Sequence, residues 1–302
     1  MSNANSKKPD IYTRITNSII ADLERGVKSW TKPWSAGNTE GRIIIPKRHN
    51  GEAYQGINIL SLWGSAMEQG FSASTWMTFR QAGELGGCVI KGQKGSPVVY
   101  ANTLTRTEEN DQGEEVEQTI PYMKGYSVFN VEQIEGLPEH FYEKPVPSGD
   151  PVERIERADT FFTATKADIH HGGDRAYYAA GADTVKLPYI EAFRDAESYY
   201  ATLAHEMTHW TKHESRLDRD FGRKKWGDEG YAEEELVAEL GAAFLCADLE
   251  ISLEDRDDHS AYIASWLKVL KDDKRAIFRA AAHAQRAVNY LHGLQGKEQE
   301  AA

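Results

Sequence analysis

The chain has 302 residues, 40% of them hydrophobic, enough apolar material for two ordinary cores, and its length favours two domains. Neither the polar start MSNANSKKPD nor any later stretch holds the apolar run of a signal peptide or a bilayer span, so the sequence predicts a soluble, cytoplasmic protein with no membrane partner. The net charge of −12 is unevenly divided: residues 1–105 carry 12 Lys and Arg against 7 Asp and Glu, which leaves −17 on the rest and makes the first part the one suited to phosphate.

In chain order, IYTRITNSIIADLERG spaces its isoleucines and Leu23 for an amphipathic helix that stops at Gly26. A loop with KSWTKPW follows, then RIIIP, read as a strand ended by Pro46. YQGINILSLWGSAMEQG reads as helix, and WMTFRQAGELGG as another helix closed by Gly86 and Gly87. CVIKGQKGSPVVYANTL suggests two strands, residues 107–118 an acidic hairpin tip or insertion, and MKGYSVFNV a returning strand. The four prolines of LPEHFYEKPVPSGDPV mark a linker. The sequence thus predicts an α+β domain over 1–137, a linker over 138–151 and a mainly helical domain with a short sheet over 152–302. In the second domain RIERADTFFTAT reads as helix and IHHGGDRAYYAAGADTVKLP as two strands with glycine turns. Asp195 is placed to cap a helix running through HEMTH, Tyr231 to Leu249 form another, and Ala261 to Leu291 are helical. Cys88 and Cys246 lie in apolar stretches and read as small buried side chains.

HEMTH places His205 and His209 one helical turn apart on one face, so both imidazoles can reach one divalent cation. Glu206 beside them is positioned to take a proton from a metal-bound water. On the later helix YAEEELVAELGAAFL, Glu235 and Glu239 stand four apart, and this ExxxE pair resembles the thermolysin-like arrangement. That resemblance implies Glu235 as third ligand and Glu239 as the acid that hydrogen-bonds a ligand histidine. Glu233 and Glu234 read as acids favouring a helix N-terminus. His213 lies about 12 Å from His205 on a continuous helix and cannot share its ion. The His, His, Glu donor set makes Zn2+ the default, with Mn2+ or Co2+ also compatible.

In the first domain Trp30, Trp34, Tyr54, Trp63, Phe71, Trp76, Phe79 and Tyr100 interleave with basic residues, a composition suited to single-stranded DNA. Lys32, Trp34, Lys47, Arg48, Tyr54, Arg80, Lys91 and Lys94 are the candidate DNA contacts, while most of the large aromatics, Trp63 and Phe79 especially, are expected in the core.

KPW, YQGINILSL, WMTFRQA and VFNVEQIEGLP, followed by HEMTH and EELVAELGAAFL, resemble the ArdC antirestriction family in the same order over nearly the whole chain. The resemblance implies an N-terminal domain that binds single-stranded DNA, a C-terminal zincin-like metallopeptidase domain, and a role on conjugative plasmids in protecting incoming DNA from restriction. A host restriction enzyme or another protein is then a possible substrate. The N-terminal module is also similar to one found in plasmid primases. Three functions follow: antirestriction, metalloendopeptidase action with the DNA domain used for targeting, and a replication or primase accessory role. AYYAAGADTVKLP resembles the strand pair that flanks a zincin cleft, to which an extended peptide could add.

Overall fold

The computed structural model describes residues 9–31, 43–109, 115–143, 151–222, 228–253 and 260–296. Helix α1 (Ile11–Glu24) begins where the Asp10 carboxylate accepts from Thr13 N–H at 2.9 Å, and the chain leaves it through Gly26 at φ 72°. In RIIIP the described residues 43–46 are not strand: Ile43 and Ile45 are buried, but ladder pairing starts only after Pro46, in β1 (Lys47–Arg48). The Ile44 carbonyl is used instead by the Trp63 indole, 2.9 Å away on helix α2 (Ile57–Gln69).

The expected helix at WMTFRQA splits. Thr75–Met77 form β2, and helix α3 (Phe79–Glu84) starts only at Phe79, because Thr78 and Gln81 make a reciprocal capping box there. After β3 (Cys88–Val89), strands β4 (Ser96–Glu109) and β5 (Glu115–Asn130) build one long hairpin whose pairing runs as far as Glu109 opposite Glu115. The acidic stretch is therefore largely strand, and residues 110–114 lie outside the described residues. The main sheet has the order β1-β2-β5-β4, and β6 (Ile134–Glu135) pairs with β3.

Helix α4 (Pro151–Ala164) leads into β7 (Asp168–His171), β8 (Tyr177–Ala179) and β9 (Thr184–Leu187), a sheet of order β7-β9-β8 with one strand more than the sequence suggested. Then come α5 (Ala196–Trp210), capped by Asp195 as expected, and α6 (Glu229–Leu249). The helical tail is two helices, α7 (Ser260–Asp272) and α8 (Ala276–Gly293). Between them the Asp273 carboxylate accepts from Arg275 N–H at 2.8 Å.

The hydrophobic core is continuous across the two sides of the linker expected at 138–151. One hydrophobic cluster runs from α1 and α2 into α5, α6, α7 and α8. Trp63 meets Phe244 at 5.8 Å, Tyr12 meets Phe278 at 4.6 Å, and Gly56 N–H donates to Gln285 at 3.0 Å. Cys246 is buried as expected, but Cys88 is exposed, since β3 sits in the small two-stranded sheet at the periphery. No described helix is long and apolar enough to cross a membrane.

Helices α5 and α6 pack through Gly241, where a Cβ would lie 2.5 Å from Thr208 Cγ2 and 2.6 Å from Thr208 Oγ1. Thr208 is fully buried within HEMTH, and its hydroxyl donates to the Ala204 carbonyl at 2.8 Å. Gly241→Ala is therefore expected to push the helices apart, destabilise the protein by about 1–3 kcal/mol and weaken metal binding. Denaturant unfolding together with metal titration measures both effects, and unchanged values would contradict this packing account.

Candidate metal centre

Asp195 starts α5 so that His205, Glu206 and His209 fall in its last two turns, all buried. Asp228 caps α6 by accepting from Tyr231 N–H at 2.9 Å, which brings the first turns of α6 against that part of α5. His205, His209 and Glu235 each offer a ligand atom within 4.8 Å of the others. His205 Nε2 lies 3.6 Å from one Glu235 oxygen and His209 Nε2 lies 3.5 Å from the other. Two donors on a tetrahedral ion at roughly 2.1 Å are about 3.4 Å apart, so this spacing fits a shared divalent cation. The imidazole planes are 79° apart, which aims the two rings from different directions.

Each histidine also turns its Nδ1 toward a buried carboxylate. His209 Nδ1 is 2.9 Å from Glu234 Oε1, and His205 Nδ1 is 3.9 Å from Glu239 Oε2, an ion-pair distance rather than a hydrogen bond. This is the arrangement that fixes a ligand imidazole with Nε2 free for metal. Glu239 thus stands near His205, but at 3.9 Å it does not make the hydrogen bond that the thermolysin-like resemblance implied. Glu234, read from sequence as a helix-terminal acid, is instead buried and locked by Arg219, whose Nε donates to one oxygen at 2.8 Å and whose Nη2 donates to the other at 2.9 Å. Arg219 further reaches the Thr208 carbonyl at 2.9 Å and Thr211 Oγ1 at 3.1 Å, tying the turn after α5 to the site. The neighbouring acid, Glu233, does point outward and pairs with Arg279 at 3.2 Å.

Electrostatics follow from these contacts. Burial alone would raise Glu234, but hydrogen bonds with His209 and Arg219 outweigh it and hold the carboxyl at about 2. Burial likewise opposes ionisation of Glu235, and its two histidine contacts overcome it, leaving the carboxyl well below the ordinary range. His213 lies beyond the end of α5 and bonds Ser215 Oγ at 2.8 Å, away from the ion position.

The described candidate DNA contacts differ in exposure. Lys32 and Trp34 lie outside the described residues. Lys47, Arg48, Arg80, Lys91 and Lys94 are exposed, with Arg48 paired to Glu52 at 3.2 Å and Arg80 to Glu84 at 2.7 Å. Tyr54 is buried in the core beneath Arg48, 5.5 Å from its ring centre, and has no face left for a base. Trp30, Trp63, Phe71 and Trp76 are buried, but Phe79 is 64% exposed, because the first position of α3 projects outward and only the ring edge meets Phe129. On the β4–β5 hairpin Tyr100 stands opposite Lys124 and Tyr122 opposite Asn102, and both tyrosines are exposed. Alternation places them on one face with Arg106. Tyr122 was not singled out from the sequence as a DNA contact, because only strand pairing, not sequence proximity, brings it beside Tyr100.

Residues 9–129 match the family model described as the N-terminal domain of the anti-restriction factor ArdC, and residues 156–283 match that of a zincin-like metallopeptidase. The uncharacterized protein y4eC of Sinorhizobium fredii (strain NBRC 101917 / NGR234) is 41% identical over 299 residues, covering 96% of this chain and 94% of that protein. A DNA primase TraC of Escherichia coli is 37% identical over 317 residues, but 98% of this chain corresponds to only 28% of the primase. The metal-free crystal structure of the antirestriction protein ArdC from plasmid R388 superposes with a TM-score of 0.79 at 48% identity, covering 95% of this chain and 98% of that one. Its Mn(II)-bound structure gives 0.76 at 45% identity, covering 96% and 99%.

Glu234→Gln removes the charge that holds both His209 and Arg219, and is expected to weaken divalent-metal affinity about 10–100-fold in a chelator-competition titration. The folded-state value of Glu234 lies below the ordinary 4.5, so its stabilisation is present above that pH and is lost as pH falls toward about 2. In the metal-free protein the wild-type unfolding midpoint should drop across that window more steeply than that of Glu234→Gln. Parallel acid limbs would contradict the assignment.

Proposed function

Since the chain belongs to the ArdC antirestriction family, we propose that it binds single-stranded DNA through its N-terminal domain and protects incoming plasmid DNA from restriction in the recipient cytoplasm. The observation that carries this reading is the likeness to ArdC of plasmid R388 over almost the full length of both chains, at 48% identity. The exposed aromatic and basic face of the β4–β5 hairpin, with Phe79 on α3, supplies surfaces on which unpaired bases could stack, at roughly 1–3 kcal/mol each. In this reading Phe79, Tyr100 and Tyr122 join Lys32, Trp34, Lys47, Arg48, Arg80, Lys91 and Lys94, and the buried Tyr54 does not take part.

Single-stranded oligonucleotide should bind in preference to duplex, with affinity falling as salt rises. Replacing Tyr100 and Tyr122 together with alanine should weaken single-strand binding by about tenfold or more while the fold is kept, because neither ring is in the core. Fluorescence anisotropy over a salt series measures this, and equal affinity for both strand forms would refute the proposal.

A second reading is favoured by the complete donor set with Glu206 beside it: a metallopeptidase acting on a host restriction enzyme or other protein. His205, His209 and Glu235 would hold the cation, Zn2+ by donor type and Mn2+ equally compatible, and the bound ion would supply Lewis acidity and lower the pKa of a water. Glu206 would take that water's proton and pass it to the leaving amine, while Glu234 and Glu239 hold the imidazoles in register. The outer strand β8 offers an edge to an extended peptide. Glu206→Gln should keep metal binding. Under the antirestriction reading without proteolysis it also keeps protection in a conjugation assay into a restricting host, whereas loss of protection there would favour the peptidase.

A further inference from the structure

The two ligand histidines are held by matching devices from different parts of the chain. Nε2 of each faces Glu235, and Nδ1 of each faces a second buried carboxylate of α6. Glu234 is fixed by Arg219, which belongs to the turn after α5. Glu239 is met by residues of the N-terminal region, more than 200 positions earlier in the sequence. The Lys28 ammonium is 3.3 Å from Glu239 Oε1, and the Trp30 indole N–H donates to the same oxygen at 3.4 Å. The other oxygen, Oε2, is the one turned to His205 Nδ1.

Lys28 and Glu239 are 6% and 3% exposed. Two charges so far from water are costly to bury, and an apolar pair of similar size would pack the same space without that desolvation. What the ion pair adds is direction: donors on one carboxylate oxygen leave its partner oxygen aimed at the imidazole. Trp30 is held in turn by Trp266 at 6.4 Å, which stacks on Tyr262 at 6.2 Å. The Tyr262 hydroxyl meets that of Tyr231 at 3.0 Å, one turn before Glu235 on α6. The segment 28–30 therefore contacts Glu239 beside His205 directly, and is linked to the turn before Glu235 through Trp266, Tyr262 and Tyr231.

We infer that Lys28 and Trp30 are metal-positioning residues contributed by the DNA-binding domain, acting through Glu239 on His205. The inference rests on the reading of His205, His209 and Glu235 as a cation site. It makes the metal centre a property of the whole chain. By linkage, any ligand of the N-terminal domain that moves residues 28–30 changes metal affinity by the same factor by which metal changes its own.

The test uses the full-length protein, Zn2+ and Mn2+ as probes, and competition with a chromophoric chelator. Lys28→Met should lower affinity for both ions by about tenfold or more, and Lys28→Arg should recover most of the loss. Because Lys28 acts through Glu239, Lys28→Met combined with Glu239→Gln should bind no more weakly than Glu239→Gln alone. That double variant leaves no stranded buried charge and serves where Lys28→Met does not fold. Wild-type affinity in folded Lys28→Met or in the double variant would overturn the inference, as would losses that multiply in the double variant. Failure of the wild-type chain to bind either ion would instead overturn the cation site itself.

Discussion

The structure depends on the close approach of α5 to α6, set where Gly241 lies against Thr208. Without a side chain at 241 the helices come near enough for α6 to present Glu234, Glu235 and Glu239 to the histidines of α5. Three carboxylates on one buried surface would repel one another and resist desolvation if left alone. Each is therefore matched: Glu234 with Arg219 and His209, Glu239 with Lys28, and Glu235 with the two Nε2 atoms that a cation would bridge. The close contact thus imposes charge pairing, and the pairing sets the orientation of the imidazoles.

The same contacts change what two domains means in this chain. Inter-domain surfaces within a chain are usually modest and polar, so relative motion is the default expectation. Here Trp63 packs on Phe244 of α6, Tyr12 on Phe278 of α8 and Trp30 on Trp266 of α7, all within one apolar cluster. Burial of large aromatics on this scale joins the two matched regions into one packed unit, and makes a loosely tethered N-terminal module a poor physical description.

How far the sequence revealed this depended on the range of each interaction. The candidate ligands His205 and His209 were legible because i,i+4 spacing on a helix is a local geometric fact, and Glu235 through the resemblance of its ExxxE pair with Glu239 to the thermolysin-like arrangement. Glu234 was not, because its burial depends on Arg219 folding back from a turn with no periodic signal, and Lys28 was not, because it reaches Glu239 from 211 residues away. Among the aromatics the rule that large rings are buried held for Trp63 and failed for Phe79, whose position is decided by the Thr78 cap one residue earlier. RIIIP failed for a related reason: apolar content marked burial correctly, but whether buried chain pairs as strand depends on what lies beside it, and there the neighbour is an indole.

The charge division of the chain also bears on what the metal centre could act on. The part after residue 105 carries −17 overall, and the helices that build the centre belong to it. A field of that sign repels phosphate and draws in cations. The N-terminal part, with Lys47, Arg48, Lys91 and Lys94 exposed, carries the opposite sign. The described contacts of His205 and His209 are with carboxylates: Glu235 at both Nε2 atoms, Glu239 toward one Nδ1 and Glu234 at the other. A carboxylate-rich surround of this kind suits a divalent cation, and the exposed basic residues Lys47, Arg48, Lys91 and Lys94 lie on the N-terminal part of the chain instead.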